Sequence, residues 1–238
     1  VTSAARLFAT CCISQLLSRF FTFDHKEYAL ADYQAVRLGE VNERSLVWAR
    51  VLRYLSPWID NDSPVLEIGA GTGDIIGQID APTRFAVDSD DRARCLQLEG
   101  VEGLLANATS LPMIADGAIG TIIASNVLEH LELDDVYSCL EECSRMLRRG
   151  GHMVVVQPNF RLCAKKYFDD YTHRSIFTDV SMTDVMTVSG FDVVRKEARF
   201  LPLTMKSRLR HGHRLTSMYL RSPVRPLAGQ MLVIGRRR

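Results

Sequence analysis

A short apolar run that breaks directly into alternating glycines, Pro64-Val-Leu-Glu-Ile-Gly-Ala-Gly-Thr-Gly73, constrains this chain more than any other feature. Glycine lets a turn take positive φ and lets a ligand approach the backbone closely. The spacing is Gly-x-Gly-x-Gly rather than the Gly-x-Gly-x-x-Gly of dinucleotide-binding folds. Glu67 precedes the first glycine by two residues. A pyrophosphate gains nothing from an anion there, whereas a ligand with an ammonium and a sulfonium group does.

A second strand, Arg84-Phe-Ala-Val-Asp88, ends in a carboxylate about twenty residues after Gly69, the distance at which an acid can accept from both ribose hydroxyls. Asp88 and the adjacent Ser89 are the ribose-side candidates, although Asp88 alone would read as an ordinary strand-end aspartate. The ligand expected on both motifs contains adenosine.

Around these motifs the hydrophobic period alternates between strand and helix. Strands are expected at Val65–Ile68, Thr83–Val87, Val101–Ala106, Thr121–Ser125, His152–Gln157, Phe191–Val194 and Gln230–Ile234. Helices are expected near 4–22, 40–55, 73–79, 90–98, 133–148 and 179–189. The 133–148 helix would end on Arg148-Arg149 before Gly150-Gly151, basic residues and then glycine. Residues 159–177 read as a loop rich in charge and aromatics. The expected fold is α/β: a Rossmann-like, seven-stranded, mostly parallel sheet with helices on both faces, an antiparallel edge and an N-terminal helical cap. With 238 residues and no composition break, one domain is expected over 1–238. It divides into a cap (1–60), a cofactor-binding core (61–158) and a substrate-side segment with edge strands and a basic tail (159–238).

Over about residues 60–160 the sequence resembles the class I S-adenosylmethionine-dependent methyltransferases, of the methyltransferase type 11 kind that includes the ubiquinone and menaquinone enzymes. The matching motifs, in the family's order, are Glu67–Gly73, Asp88, Leu105-Ala-Asn-Ala-Thr-Ser-Leu-Pro112, Ser125-Asn-Val-Leu-Glu-His-Leu131 and Met146-Leu-Arg-Arg-Gly-Gly-His-Met-Val-Val-Val156. The resemblance implies S-adenosylmethionine as cofactor and S-adenosylhomocysteine as product. It also implies cofactor contacts from Glu67, Gly69, Ala70, Gly71, Gly73, Asp88 and Ser89, from Asn107 and Ala108 at the adenine edge, and from Asn126 and Val127 near the methionine portion. Asn107 stands where an acid is more usual, and its amide oxygen can still accept from an adenine amino group. Gly120 stands where an aspartate usually precedes the fourth strand, which puts the packing there in question. A fainter resemblance, in Tyr167–Arg174, Phe200–Arg208 and Tyr219–Met231, is to methyltransferases of surface-polysaccharide and lipid-linked glycan synthesis. It implies a sugar or lipid-linked saccharide hydroxyl as acceptor.

Methyl transfer from a sulfonium chiefly needs a positioned nucleophile and exclusion of water. For an alcohol acceptor a general base helps, and His130, at the end of the fourth strand, and His173, in the charged aromatic loop, are the catalytic candidates. Asp170, with Asp169, is placed to orient His173 or the acceptor hydroxyls, and Tyr28, Tyr33 and Tyr171 to close the pocket. Each has a plainer reading: a packing histidine, a solvated loop acid, a core or rim aromatic.

The six cysteines form no Cys-x-x-Cys pair and have no clustered histidines in sequence, so no metal is expected and the thiols read as reduced and mostly buried. Cys139 and Cys143, one turn apart, fit a helix interior. Net charge is +1 but uneven: residues 195–238 carry twelve Lys/Arg and one acid, Glu197. That asymmetry suggests an anionic partner for the tail, or packing of the tail on the protein's own acidic body. His211 and His213 read as part of that basic face. The apolar N-terminus is too interrupted for a signal peptide or a membrane span and fits an amphipathic helix, so a cytoplasmic protein with peripheral membrane contact is expected. The alternatives are a nucleic-acid-modifying methyltransferase, a non-catalytic S-adenosylmethionine-binding protein and a nicotinamide-dependent oxidoreductase. The near-neutral charge and the absence of an Asn/Asp-Pro-Pro-Tyr-type motif argue against the first. The glycine spacing argues against the last.

Overall fold

A computed structural model describes residues 41–90, 98–203 and 213–238. The expected helices over 4–22 and 90–98, together with Tyr28, Tyr33, His211 and the middle of the basic tail, lie outside these residues. Residues 40–238 form one compact unit.

The described elements are α1 (Val41–Leu55), β1 (Val65–Ile68), β2 (Arg84–Asp88), β3 (Val101–Leu105), β4 (Ile119–Ser125), α2 (Leu133–Met146), β5 (Leu147–Pro158), α3 (Phe160–Tyr167), α4 (Asp179–Val188), β6 (Phe191–Glu197), α5 (His213–Arg221) and β7 (Gln230–Arg237). The strands form one seven-stranded sheet in the order β3-β2-β1-β4-β5-β7-β6. Strands β1 to β5 pair in parallel, and β7 runs antiparallel to both β5 and β6, so the two late strands make the antiparallel edge pair. The strand order reverses between β1 and β4, where open α/β sheets hold ligands outside the carboxyl ends of the strands.

The two-residue period of the strands builds a core on each face. On one face Leu66, Ile68, Ile122, Ala124, Met153, Val155, Met231 and Val233 pack with Val136, Cys139, Leu140, Cys143 and Met146 of α2 and Met182 and Met186 of α4. On the other, Val65, Ile123, Val154, Val156, Leu232 and Ile234 meet Trp48, Val51, Leu52 and Leu55 of α1 and Leu220 of α5. Cys139 and Cys143 are thus helix-interior residues, and they and Cys163 are free and buried.

Four expectations change. The helix expected near 73–79 is only a 3₁₀ turn, Ile76–Gln78. Gly69, Gly71 and Gly73 all have positive φ, and a chain leaving three such residues enters its turn without a preceding helical register. The 133–148 helix stops at Met146, and Leu147 opens β5. Gly150, at φ +77, sits in a bulge between the pairs Ile119↔Leu147 and Thr121↔His152 rather than capping a helix. The segment 159–177 contains α3, started by Asn159, whose side chain accepts from the Arg161 N–H, and seated by buried Cys163 and Tyr167 one turn apart. The basic tail contains α5, which ends in Arg221.

Gly120 is resolved by its neighbours. A Cβ there would lie 2.6 Å from Ser63 Cβ and 2.7 Å from Asp60 Oδ2, so Asp60 occupies the space, and it pairs with Arg148 at 2.8 Å. Asp60, from the loop before β1, thus places a carboxylate beside Gly120. Among the described residues no helix is long and apolar enough to cross a membrane.

Candidate active site

The glycine loop is held from both sides. At its base, Glu67 is 2% exposed and its Oε2 accepts from the Ile76 N–H at 2.9 Å, which fastens the 3₁₀ turn to β1. Burial pushes its carboxyl well above the usual carboxylate range, against the lowering effects of the Ile76 N–H and Arg44. Glu67, expected to face a cationic ligand, also holds the loop through its bond to the Ile76 N–H. From the helical side, Arg44 of α1 donates to Asp74 Oδ2 at 2.6 Å and to Thr72 Oγ1 at 3.0 Å, and Thr72 Oγ1 donates to Asp74 at 2.9 Å. Nothing in the sequence signalled this clamp, because Arg44 is one of many helix-surface cations until α1 is placed beside the loop.

Two glycines have separate spatial reasons. A Cβ on Gly69 would stand 2.3 Å from Val127 Cγ2, so the loop after β1 can approach the end of β4 only without a side chain. A Cβ on Gly71 would meet nothing within 4 Å, and its N–H donates to Asp88 Oδ2 at 2.8 Å. Gly71 thus borders open space beside the carboxylate. Asp88 Oδ1 accepts from the Asp90 N–H at 3.1 Å, and Ser89 is exposed. Beyond β3, Asn107 Oδ1 accepts from the Thr109 N–H at 3.1 Å, forming a local turn with Ala108 inside it.

At the end of β4, Asn126 adopts φ +54, a left-handed conformation tolerated by asparagine. Its Oδ1 accepts from Gln230 Nε2 at 3.4 Å, which ties β7 to the turn. Glu67, Gly69–Gly73, Asp88, Asn126 and Val127 therefore all lie at the strand ends on either side of the β1/β4 reversal.

Beside this row, the segment after α3 folds back onto the turn Leu128–His130. The Glu129 carbonyl accepts from the Arg174 N–H at 2.8 Å and the Ser175 N–H at 3.1 Å. This docking brings together His130 and His173, with ring centroids 4.9 Å apart, and packs His173 on Tyr167 at 4.4 Å. His173 Nδ1 lies 2.7 Å from the Tyr167 carbonyl, which can only accept, so Nδ1 carries the proton and Nε2 the lone pair. Asp170 Oδ2 is 4.0 Å from His173 Nε2. Asp170 Oδ1 accepts from Thr172 Oγ1 at 2.6 Å, and Thr172 Oγ1 is 2.9 Å from His130 Nδ1. Since the Thr172 hydroxyl donates to the carboxylate, it accepts from His130, which fixes the Nδ1–H tautomer there as well. Burial, and then the neighbouring His173, hold the His130 imidazole below its ordinary value. Tyr171 is 73% exposed and Phe168 59%, forming the rim of this segment.

Glu129 is the residue in this group that sequence reasoning passed over. It is 1% exposed, and neither carboxylate oxygen has a hydrogen-bond partner among the described residues. Spacing along the chain showed no metal-ligand cluster, yet folding gathers one: single donor atoms of Glu129, His130 and His173 lie within 4.8 Å of one another. The third member is 43 positions from the second and reaches it only through the docked loop.

Burial raises the Glu129 carboxyl to about 8 from an ordinary value of 4.5. The folded state then holds a proton that the unfolded chain releases, so stability falls as pH rises between these values and levels off above about 8. Glu129→Gln removes that titration. Denaturant unfolding in EDTA-containing buffer is expected to show the wild type losing stability relative to the variant from pH 5 to pH 8, a range bracketed by the two values. A difference between the two proteins that stays constant with pH would contradict the assignment.

Comparison with known proteins agrees with this geometry. Residues 66–155 match the family model described as a methyltransferase domain. No curated protein sequence matches the chain. Among solved structures, an S-adenosylmethionine-dependent methyltransferase from Archaeoglobus fulgidus superposes with a TM-score of 0.63 at 21% identity, covering 88% of this chain and 99% of its own. One from Mesorhizobium loti gives 0.59 at 15% identity, covering 79% and 98%. A geranyl diphosphate methyltransferase in complex with S-adenosylmethionine gives 0.57 at 16%, covering 80% and 84%. At these identities the superpositions speak for the fold, and the family match speaks for the domain. With a β1–glycine loop–β2 carboxylate arrangement at the strand reversal and a methyltransferase-domain match over the same strands, the chain carries a class I S-adenosylmethionine-dependent methyltransferase domain.

Proposed function

We propose that this enzyme methylates a hydroxyl oxygen of a sugar or lipid-linked saccharide. The cofactor residues we assign are Gly69, Ala70, Gly71 and Gly73 on the loop, Asp88 with Ser89 at the ribose, Asn107 and Ala108 at the adenine edge, and Asn126 and Val127 near the methionine portion. The open space in front of Gly71, beside the Asp88 carboxylate, fits such a ligand. Glu67 belongs to this set as a positioning residue, since it fastens the loop from below. When bound, S-adenosylmethionine supplies a methyl group on a sulfonium sulfur.

The observation that carries the acceptor assignment is the fixed tautomer of His173. Its Nδ1–H is committed to the Tyr167 carbonyl, which makes Nε2 the ring atom able to take a proton from an alcohol as the new O–CH₃ bond forms. Asp170, 4.0 Å from that nitrogen, stabilises the imidazolium that results. His130 stands behind as the second imidazole of the pair. The exposed aromatics Phe168 and Tyr171 suit an apolar sugar face or a lipid-linked carrier at the rim. The excess of Lys/Arg over 195–238 suits an anionic acceptor, and with the interrupted apolar N-terminus it fits a cytoplasmic protein in peripheral contact with a membrane.

The direct test offers methyl-labelled S-adenosylmethionine with a panel of anionic and lipid-linked saccharides, alongside RNA and small amines. The expected product carries label as a methyl ether on the saccharide. Label entering only nucleic acid or amines would overturn the acceptor assignment while leaving the domain's identity untouched.

A further inference from the structure

Glu129 raises a problem that methyl transfer does not solve. A carboxylate taken out of water is costly unless a cation or a set of donors meets it, and this one has neither among the described residues. The side chains gathered around it are two imidazoles, each with one donor atom within 4.8 Å of the others. Both are held in the Nδ1–H tautomer, His173 by the Tyr167 carbonyl and His130 by Thr172 Oγ1, which in turn donates to Asp170. Metal-binding histidines are usually oriented in this way, with the second ring nitrogen donating to a backbone carbonyl, hydroxyl or carboxylate so that the lone pair of the first is fixed.

We propose that Glu129, His130 and His173 form a binding site for a divalent first-row transition cation of the zinc type. Two neutral imidazoles and one carboxylate match the borderline ions that favour nitrogen and oxygen together, rather than Mg²⁺ or Ca²⁺, which prefer all-oxygen shells. Three protein ligands leave a further coordination position open, as in catalytic zinc centres. Bound at about 2.1 Å, tetrahedral ligands stand about 3.4 Å apart, so loading draws the three donors inward by about 1 Å at most. The ion would compensate the buried Glu129 charge and would sit in the field of Asp170, whose Oδ2 is 4.0 Å from His173 Nε2. His173 Nε2 can hold the ion or take a proton from an acceptor alcohol but not both, so the metal-bound state is distinct from the state that methylates through His173, and binding of the ion does not rest on the hydroxyl-acceptor reading.

The test uses the full, untagged chain, stripped with a chelator and titrated with Co²⁺ as an optical probe. One equivalent of Co²⁺ is expected to bind per chain, giving the visible absorption of a low-coordinate nitrogen/oxygen site, and Zn²⁺ should displace it. Glu129→Gln and His173→Ala should each weaken Co²⁺ by about 100-fold or more while S-adenosylhomocysteine binding shows both variants to be folded. His152→Ala, in a half-buried histidine that is the first residue of β5 paired with β4 after the bulge, should leave Co²⁺ affinity unchanged. Absence of stoichiometric Co²⁺ binding in a wild type that binds S-adenosylhomocysteine would overturn the proposal, as would binding that survives Glu129→Gln. Failure of the saccharide assay would leave the Co²⁺ titration as expected, so the two readings fail separately.

Discussion

Replacing His173 by alanine is expected to lower the rate of methyl transfer by about 10²-fold or more and to leave the affinity for S-adenosylhomocysteine within about twofold of wild type. The split follows from geometry. His173 packs on Tyr167 and His130 in the segment docked against Glu129, while the glycine loop is held by Arg44, Glu67 and Asp88. Truncation removes the imidazole without touching any of the loop's hydrogen bonds. Because the side chain is only 8% exposed, a melting curve must accompany the kinetics, and His173→Asn, which keeps a donor for the Tyr167 carbonyl, separates lost packing from lost chemistry. A rate within about threefold of wild type in a folded His173→Ala protein would make the residue structural. Cofactor affinity falling in step with the rate would place the segment on the cofactor side.

Asp88→Ala has the opposite signature. Its carboxylate accepts from the Gly71 N–H and stands at the open face of the loop, so the substitution removes both a loop brace and the proposed ribose acceptor. Calorimetry with S-adenosylhomocysteine should show a loss of about 1–3 kcal/mol, the scale of charge-assisted hydrogen bonds, with little change in saturating turnover. Asp88→Asn can still offer Gly71 an oxygen while losing the charge, and should fall between wild type and alanine. Unchanged affinity in Asp88→Ala would remove Asp88 from the cofactor site.

The core of the fold was legible because its signals are local. Four buried residues in β1 followed by alternating glycines specify a strand and a turn without any tertiary information, and Val65–Ile68 is found where the pattern puts it. The late pair β6 and β7 was readable for the same reason, although its strands extend beyond their apolar centres because Arg195–Glu197 and Gly235–Arg237 continue the pairing. What was not legible depended on competition between local signals. Arg148–Gly151 carries every mark of a helix end, yet those residues bulge out of β5, because Leu147 is already paired with Ile119. Helix α3 was hidden by its three basic residues and two aromatics, which read as a loop until Asn159 is recognised as the cap and Cys163 and Tyr167 as the buried stripe.

The site divides similarly. Gly69, Gly71 and Asp88 could be singled out because ligand-binding backbone needs glycine and a strand-end acid at fixed spacing. Arg44, Thr172 and Gln230 could not, since their partners, Asp74, His130 and Asn126, are distant in sequence or meet them only through a docked loop. Glu129 stood in plain view inside Ser125–Leu131, but an acid beside a strand end gives no sign of being buried without a hydrogen-bond partner among the described residues. Glu67 was noticed for its charge, while its hydrogen bond to Ile76 could not be read from the sequence.

We propose that one sheet end holds the cofactor on the Gly69–Gly73 loop and presents the acceptor to His173. A crystal structure of the enzyme with S-adenosylhomocysteine tests it most directly. The expected result has the ribose hydroxyls on Asp88, the adenine beside Asn107 and Ala108, and the sulfur near Asn126 and Val127, with His173 Nε2 facing the space beyond the sulfur where a hydroxyl would stand. A ligand bound away from Asp88, or a sulfur whose open side faces away from His173 and Glu129, would contradict it.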